Sequence, residues 1–267
     1  MRSIKRIAAV LHLIWCLFVF VAVMIFILPF ILIISYISKS KAGHSSAFAF
    51  LRLWGWAVSL LGLLPVRSRN RNIYDKKKAY IFVSNHNSYL DSVAVVVSVP
   101  LPFKPLGKIE MNRVPIFGMI YRRLVIMIDR KSPESRQQGE AELSNQLKQG
   151  QSILIFPEGS MNRSEQPLTE FYDGAFRLAI DTQTPIAPMV ILNARKLFPR
   201  DKPLDLRPGI ISCIFSQPVQ VKGLTMDDLP VLKQDVYKIM EKLILQNEGS
   251  VLNDDLLTQV GGPGKRR

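Results

Sequence analysis

One histidine and one aspartate, five residues apart, are the side chains of this sequence best suited to acid–base chemistry. His86 and Asp91 directly follow the strand-like run 79–83. On a regular helix five residues advance about 500°, which leaves the two side chains about 140° apart. They can meet if His86 lies in a turn after a strand and Asp91 in the first turn of the next helix. We therefore predict a strand, a polar turn and a helix here, with His86 as a general base near neutral pH.

The same segment also has a purely structural interpretation. A histidine and an aspartate in one loop often mark only the start of a helix, with Asn85 or Asn87 as its cap. A second polar cluster further along the chain favours the chemical interpretation.

The second cluster follows another buried-strand pattern. The apolar run 153–156 leads into the polar turn 157–164. The candidate binding residues of this turn are Glu158, Gly159, Ser160 and Arg163. Backbone amides beside a glycine, with a nearby arginine, make an anion site, and a glutamate adds an acceptor for a hydroxyl or a cation. The turn therefore predicts a binding site for an anionic group.

The N-terminal region is strongly apolar. Hydrophobic residues make up 48% of the 267 residues although 21% are charged, and the excess lies in the run 7–37. This run is longer than the roughly 20 residues that cross a bilayer core and longer than the apolar part of a cleavable signal peptide. We predict a retained membrane anchor, in which Pro29 allows either a hairpin or a single tilted span. Basic residues flank the run on both sides and give no orientation: Arg2, Lys5 and Arg6 before it, and Lys39, Lys41 and Arg52 after it.

The net charge of +14 and pI ≈ 9.9 suit an anionic membrane surface or nucleic acid. The anchor favours the membrane, and the basic residues lack the interleaved aromatic pattern of a nucleic-acid-binding protein. The apolar stretch 47–64, with Trp54 and Trp56, fits either an interfacial helix or a helix packed on the catalytic core. The basic run 67–78 fits either contact with lipid head groups or a solvated loop.

After residue 72, short β-rich runs alternate with longer amphipathic ones. Strands are predicted at 79–84, 125–129, 152–156, 185–190 and 210–215. Helices are predicted at 89–97, 115–122, 133–148, 174–181 and 226–246. A long surface loop is predicted at 193–209. The alternation predicts an α/β fold with a mixed, mostly parallel sheet covered by helices, preceded by the membrane-anchoring helical segment.

Four parts are expected along the chain. They are an N-terminal membrane anchor at 1–45, an interfacial helix and basic linker at 46–72, a catalytic domain at 73–250 and a flexible tail at 251–267. His86 is then the one histidine of the folded part. Cys16 and Cys213 form no disulfide or metal-binding pattern, which suits a cytosol-facing domain.

The two polar clusters resemble signature blocks of a known family. Asn85-His86 with Asp91, and the run 156–160 (Phe-Pro-Glu-Gly-Ser), resemble the first and third blocks of the glycerolipid acyltransferases. The similarity is greatest to the lysophosphatidic acid acyltransferase type, which carries an N-terminal hydrophobic segment. The segments around Lys108 and those at 125–130 and 186–190 resemble other parts of the family, so the resemblance covers roughly residues 50–220.

Three positions depart from the family's pattern. Leu124 and Met127 stand where the second block usually has glycine and phenylalanine. Met161 stands where the third block has an arginine associated with binding the acceptor's phosphate. Arg163, two residues further on, is the candidate replacement, although its side chain would point in another direction. The catalytic interpretation survives these departures, whereas the head group of the acceptor stays open.

The resemblance implies transfer of a fatty acyl group from coenzyme A or acyl carrier protein to the free hydroxyl of a lysophospholipid, which converts lysophosphatidic acid to phosphatidic acid. His86 would take the hydroxyl proton while Asp91 orients the ring. Backbone amides near His86 or at Gly159 are candidates to stabilise the oxyanion. The residues expected to bind the substrate are Lys108, Arg130, Glu158, Gly159, Ser160 and Arg163. Each of the three cations also fits a plain surface role.

The resemblance also implies the setting of the reaction. Neither a metal nor another cofactor is expected, and the partners are the acyl carrier, the lysophospholipid and the lipid bilayer. The expected location is a bacterial inner membrane, with the catalytic domain facing the cytoplasm. Two alternatives stay open. One is an acyltransferase for a different acceptor, such as a lyso-aminolipid or glycerol phosphate, and the other is an inactive, membrane-bound lipid-binding protein.

Overall fold

The computed structural model describes residues 2–38 and 40–260, and its centre is a seven-stranded sheet. The strands are β1 (Val66–Arg69), β2 (Ile81–Ser84), β3 (Phe103–Lys108), β4 (Ile126–Ile128), β5 (Ser152–Ile155), β6 (Ile186–Leu192) and β7 (Ile211–Phe215). Their order across the sheet is β1-β7-β6-β2-β5-β3-β4. The strands from β6 to β4 are all parallel, whereas β7 runs antiparallel to β6 and β1 parallel to β7. The expected α/β class with a mixed, mostly parallel sheet is confirmed.

Helices cover both faces of this sheet. They are α1 (Arg2–Ile37), α2 (Lys41–Leu61), α3 (Asp91–Ser98), α4 (Phe117–Leu124), α5 (Pro133–Lys148), α6 (Gly174–Thr182), α7 (Ala194–Leu197) and α8 (Leu229–Val260). Helix α5 begins as its sequence predicts. Pro133 stands in its first turn, and the side chain of Ser132 accepts a hydrogen bond from the amide of Ser135.

Alternate residues of each central strand pack against opposite layers of helices. Phe82 and Leu154, opposite each other on β2 and β5, belong to the core under α1, α2, α3 and α4. Ile81 and Ile153, one residue earlier, belong to the core under α5, α6 and α8. All four side chains are fully buried, which explains why these parallel strands are uninterrupted apolar runs.

The N-terminal apolar run is one unbroken helix. Helix α1 continues through Pro29, so the run is not divided at that proline. The hairpin of this region is formed by α1 and α2, which pack against each other. Trp54 of α2 is buried, its Nε1–H donates to the carbonyl of Phe20 at 3.2 Å, and the two rings meet edge to face.

Helix α2 also packs on the catalytic core, which decides between the two interpretations of this stretch. Phe48 is buried against Phe103 of β3. The guanidinium of Arg52 donates to the carbonyls of Val96 and Val99 at the end of α3, at 3.4 and 2.6 Å. Arg52 therefore satisfies carbonyls that the helix end leaves unpaired, and it is not an interfacial cation.

Several expected boundaries are wrong. Strands β1 and β3 were not anticipated, and β1 places the start of the sheet before residue 73. The boundary at 45/46 falls inside α2. The stretch expected as a surface loop, 193–209, contains α7 and the buried Leu206. Helix α8 occupies 251–260, part of the expected flexible tail, and residues 261–267 lie outside the described residues.

A second histidine belongs to the folded core, contrary to expectation. His44 of α2 is buried, and its Nε2 lies 3.2 Å from the carbonyl oxygen of Phe103. Burial lowers its pKa to about 4, so the ring is neutral under ordinary conditions. The buried imidazole of His44 is therefore not available as an acid–base catalyst near neutral pH.

Candidate active site

Four neighbouring parallel strands bring the candidate residues to one edge of the sheet. His86 follows β2, Glu158 follows β5, Lys108 ends β3 and Arg130 follows β4. Because β2, β5, β3 and β4 are adjacent and parallel, their carboxyl ends share an edge. Ligands of open α/β sheets bind outside this edge.

His86 and Asp91 are in contact, as their spacing predicts. Nδ1 of His86 lies 2.8 Å from Oδ2 of Asp91, the fully buried first residue of α3. The same oxygen accepts hydrogen bonds from the amides of Asn87 and Ser88, each at 2.8 Å. Neither asparagine of this segment caps the helix, since the N-cap residue is Leu90 and makes no side-chain capping bond. The carboxylate is therefore held by the turn that carries the histidine.

The orientation of the ring leaves its other nitrogen available. With Nδ1–H donating to Asp91, Nε2 of the neutral ring carries the lone pair. Within the residues that the structure describes, no hydrogen bond engages Nε2. The ring stacks on Phe156 with centroids 4.3 Å apart, and the side chain is 21% exposed. His86 can thus accept a proton from a group at the edge of the sheet.

Asn85 fastens the catalytic turn to the neighbouring strand. Its side chain is buried, its Nδ2 donates to the carbonyl of Ile191 at 2.9 Å, and its Oδ1 accepts from the amide of Ile191 at 2.7 Å. Both bonds reach β6, the strand beside β2. From the sequence, Asn85 was considered as a helix cap and as part of the first signature block, and its position directly before His86 was the available signal for a positioning role.

Glu158 joins the two polar clusters. Its Oε1 accepts from the amide of His86 at 2.8 Å, and its Oε2 accepts from the amide and the hydroxyl of Thr169, both at 2.8 Å. The carboxyl is buried, and desolvation raises its pKa above the usual range. Since both oxygens already accept protein hydrogen bonds, this geometry makes Glu158 a link between loops. Thr169 was missed because it lies eleven residues further along in a segment without a motif.

The turn after β5 also holds the carbonyl of His86. The amide of Asn162 donates to it at 2.7 Å, so both backbone polar groups of His86 are bonded to this turn. Gly159 has φ +66°, and a Cβ there would lie 2.7 Å from the ring of Tyr172. The turn therefore requires glycine for both backbone conformation and space.

The backbone amides considered for the oxyanion are occupied. Those of His86, Asn87 and Ser88 donate to the carboxylates of Glu158 and Asp91. The amide of Gly159 donates to the carbonyl of Phe156, and that of Ser160 donates to the carbonyl of Glu158. Each of these candidate donors therefore already has a protein acceptor in this structure.

The three candidate cations differ in their surroundings. A guanidinium nitrogen of Arg130 donates to the carbonyl of Gly159, so Arg130 lies against the turn. Nζ of Lys108 lies 3.1 Å from Oε1 of Glu110, and both side chains are about half exposed. Arg163 is exposed and makes no hydrogen bond or ion pair to another described residue. Ser160 is exposed as well, at the same turn.

Comparison with known proteins places this site in a family. Residues 65–192, which contain all of these side chains, match the family model described as Acyltransferase. The chain is 29% identical over 207 residues to 1-acyl-sn-glycerol-3-phosphate acyltransferase alpha of Mus musculus, covering 76% of this chain and 72% of that protein. It is 27% identical over 195 residues to the 1-acyl-sn-glycerol-3-phosphate acyltransferase of Haemophilus influenzae, covering 72% of this chain and 80% of that protein.

A solved structure has the same fold. The crystal structure of the 1-acyl-sn-glycerophosphate acyltransferase PlsC from Thermotoga maritima superposes with a TM-score of 0.76 over 92% of this chain and 97% of that chain. At 20% sequence identity this likeness concerns the fold alone. The family model and these relatives together support an acyltransferase of the lysophosphatidic acid acyltransferase type. The resemblance seen in the sequence is thus confirmed, and the chain is an acyltransferase.

The family match begins at residue 65 and leaves the N-terminal hairpin outside. In the described residues, 2–38 and 40–260, one helix is long and apolar enough to cross a membrane, judged by length and composition. Within this stretch of α1, Arg6–Ile37, only 22% of the most apolar 18-residue segment is buried. The acyltransferase therefore carries a large apolar surface beside its catalytic domain.

Proposed function

We propose that this acyltransferase moves a fatty acyl group from a coenzyme A or acyl carrier protein thioester to the free hydroxyl of lysophosphatidic acid. The names of the related proteins support lysophosphatidic acid as the acceptor. The observation that carries the chemistry is the 2.8 Å contact of His86 with Asp91, which leaves Nε2 free at the open edge of the sheet.

In the proposed mechanism His86 acts as a general base. Nε2 takes the hydroxyl proton as the oxygen attacks the thioester carbonyl, and the buried carboxylate of Asp91 stabilises the imidazolium that forms. The tetrahedral intermediate then breaks its carbon–sulfur bond, and the imidazolium returns the proton to the leaving thiolate. The new oxygen ester leaves with the acceptor, and the enzyme is regenerated.

Direct transfer without an acyl-enzyme fits the environment of the catalytic-domain thiol. Cys213 lies on β7 and is fully buried, and burial raises its pKa to about 12. It is therefore a protonated thiol without access to a substrate.

We propose that Arg163 and Arg130 bind the acceptor's phosphate. Arg163 is exposed and unengaged among the described residues, so its guanidinium is available to an anion. Arg130 already lies against the carbonyl of Gly159, on the turn that holds His86. Lys108 would add positive charge at the same edge. Arg163 lies in the turn after β5, Lys108 ends β3 and Arg130 follows β4, so all three come from the carboxyl side of strands that continue the sheet from β2. A head group must lie at this edge if its glycerol hydroxyl is to reach Nε2.

We propose that α1 lies in the plane of one leaflet. Its length, about 54 Å for 36 residues, would exceed a bilayer core of about 30 Å. Yet α1 packs on the domain at several points: the ring of His12 lies 2.8 Å from the carbonyl of Gly62 and 3.1 Å from that of Leu206, and Phe20 contacts Phe117 of α4. We infer from these contacts that α1 stays beside the domain and does not cross the membrane alone. Its opposite face is apolar and exposed, including Ile7, Leu11, Phe18, Ile25, Phe26 and Ile33.

The bacterial inner membrane with a cytoplasmic catalytic domain belongs to the same proposal. A bacterial relative and the single apolar helix support it. Soluble thioesters would then meet a lipid acceptor at the membrane surface.

The test compares purified His86→Ala and Asp91→Asn with the wild type and with Asp181→Asn, a control on an exposed aspartate of α6. Loss of the base should reduce acyl transfer by about 10²–10⁴-fold while vesicle binding stays unchanged. Wild-type turnover by His86→Ala would refute the mechanism.

The acceptor is tested separately. One labelled acyl-CoA is offered with lysophosphatidic acid, lysophosphatidylethanolamine, a lyso-aminolipid and glycerol 3-phosphate, and acyl carrier protein replaces coenzyme A in a parallel series. Preference for lysophosphatidic acid is the expected result. Preference for another acceptor would leave the acyltransferase activity in place and would refute lysophosphatidic acid as the acceptor.

A further inference from the structure

The structure contains a groove far from the catalytic edge, between the end of α1 and the end of α4. Its volume is about 490 Å³. Its walls combine apolar side chains with two adjacent arginines: Ile33, Tyr36, Ile37, Met119, Arg122 and Arg123. Neither the candidate active site nor the family match assigns it a role.

The groove lies at the opposite end of the sheet from His86. Helix α4 leaves the carboxyl end of β3 and leads to the amino end of β4, which pairs with β3 in parallel. Its last turn therefore lies on the side of the amino end of β4. The start of α2 confirms this position, since Nζ of Lys41 donates to the carbonyl of Gly150, just before β5 begins. The groove therefore lies toward the amino ends of the strands, away from His86.

The two arginines have no protein partner in the described ranges. Arg122 and Arg123 are both exposed, and neither forms a hydrogen bond or ion pair with another residue between 2 and 38 or 40 and 260. Cations at a helix C-terminus are favoured by the helix dipole, which accounts for one positive charge there. The dipole does not account for a second arginine or for the apolar wall beside it.

The wall of the groove continues the apolar face of α1. Ile33, Tyr36 and Ile37 are 57%, 83% and 77% exposed, which is unusual for three large side chains on one helix end. Tyrosine is enriched where protein passes from hydrocarbon to head groups. Guanidinium groups bind phosphate by paired hydrogen bonds. Apolar and phosphate-binding groups thus line one groove, and a phospholipid carries a partner for each kind of group.

We propose that this groove binds an anionic phospholipid of the bilayer, with its phosphate at Arg122 and Arg123 and its acyl chain along Ile33, Ile37 and Met119. The occupant is a membrane lipid and not free phosphate, because half of the groove would otherwise stay apolar and uncovered. The inference rests on the proposed membrane docking of α1 and adds a preference for anionic lipid. Such a lipid would hold the end of α1 that lies farthest from the active site.

The experiment measures binding of the full chain to vesicles of phosphatidylcholine, with or without phosphatidylglycerol. The variants are Arg122→Gln/Arg123→Gln and, as a control with the same change of charge, Lys77→Gln/Lys78→Gln on the exposed basic run. A basic side chain near an anionic surface is worth about 1 kcal/mol, so loss of both arginines should reduce the preference for anionic vesicles about 30-fold. The lysine pair should change it less than about 3-fold, and acyl transfer in detergent should be unchanged in both.

A second measurement places the lipid. Tyr36→Trp adds a fluorophore in the groove to the three natural tryptophans, so quenching is measured as the difference from wild type. Brominated phosphatidylglycerol should quench the added fluorescence more than brominated phosphatidylcholine does. Adding Arg122→Gln/Arg123→Gln should abolish that difference.

If the arginine and lysine substitutions reduced the preference for anionic vesicles equally, the proposal would be overturned. That result would show that any basic residue contributes through general electrostatic attraction to the membrane. A wild type without anionic preference would overturn it too. Failure of the proposed function is distinct: it would appear as absent acyl transfer, or as no binding even to phosphatidylcholine vesicles.

Discussion

Thr169→Val tests whether the link through Glu158 serves catalysis. Valine has nearly the shape of threonine but lacks the hydroxyl that donates to Glu158 at 2.8 Å. A hydrogen bond to a charged group contributes about 1.5–3 kcal/mol, so we expect the free energy of unfolding to fall by about 2 kcal/mol. The amide of Thr169 still donates to the same oxygen, which limits the loss.

The same substitution should also lower the rate of catalysis. Glu158 holds the amide of His86, and small displacements of a reacting group can cost up to about 100-fold in rate. We expect kcat to fall about tenfold, with KM for acceptor and thioester unchanged because Thr169 binds neither. Steady-state kinetics and urea unfolding of the same preparations give both quantities.

Thr169→Ser is the matched control, since it keeps the donor. It should restore kcat to within about twofold of the wild type while costing little more than a buried methyl group, about 1 kcal/mol. Wild-type kcat in Thr169→Val, together with the expected loss of stability, would show that the link is only structural.

Three further measurements test the site and the fold. Burial raises the pKa of Glu158, so at pH values between its usual pKa and its raised pKa the folded protein binds more protons than the unfolded chain. The free energy of unfolding should therefore fall as pH rises through this range. Urea unfolding of the wild type should show this slope relative to Glu158→Gln, and an opposite slope would refute it. Arg163→Ala should raise KM for the lysolipid more than KM for the thioester, and equal changes would remove Arg163 from head-group binding. Phe82→Ala should lower the free energy of unfolding by about 3–5 kcal/mol, and a loss below about 1 kcal/mol would contradict the packing around β2.

Most central elements were predictable because their signals are local. The five anticipated strands are present to within two residues at each end, as is the helix at 133–148 with its serine cap. Strand β3 was missed because Pro105 and Gly107 interrupt its pattern, and β1 because exposed arginines occupy two of its four positions. The packed position of α2 was not decided by its sequence, since tryptophan suits a membrane interface and a protein core equally.

The sequence by itself determined the catalytic pair. A spacing of five residues across a strand, a turn and a helix start places an imidazole against a carboxylate through local geometry, and the contact is as expected. Only the tertiary structure decided what surrounds that pair. The strand order β2-β5-β3-β4 does not follow the chain, so crossovers of the backbone bring Glu158, Lys108 and Arg130 to the same edge. The structure also shows that Glu158 links the two loops, because burial required each of its oxygens to find a donor.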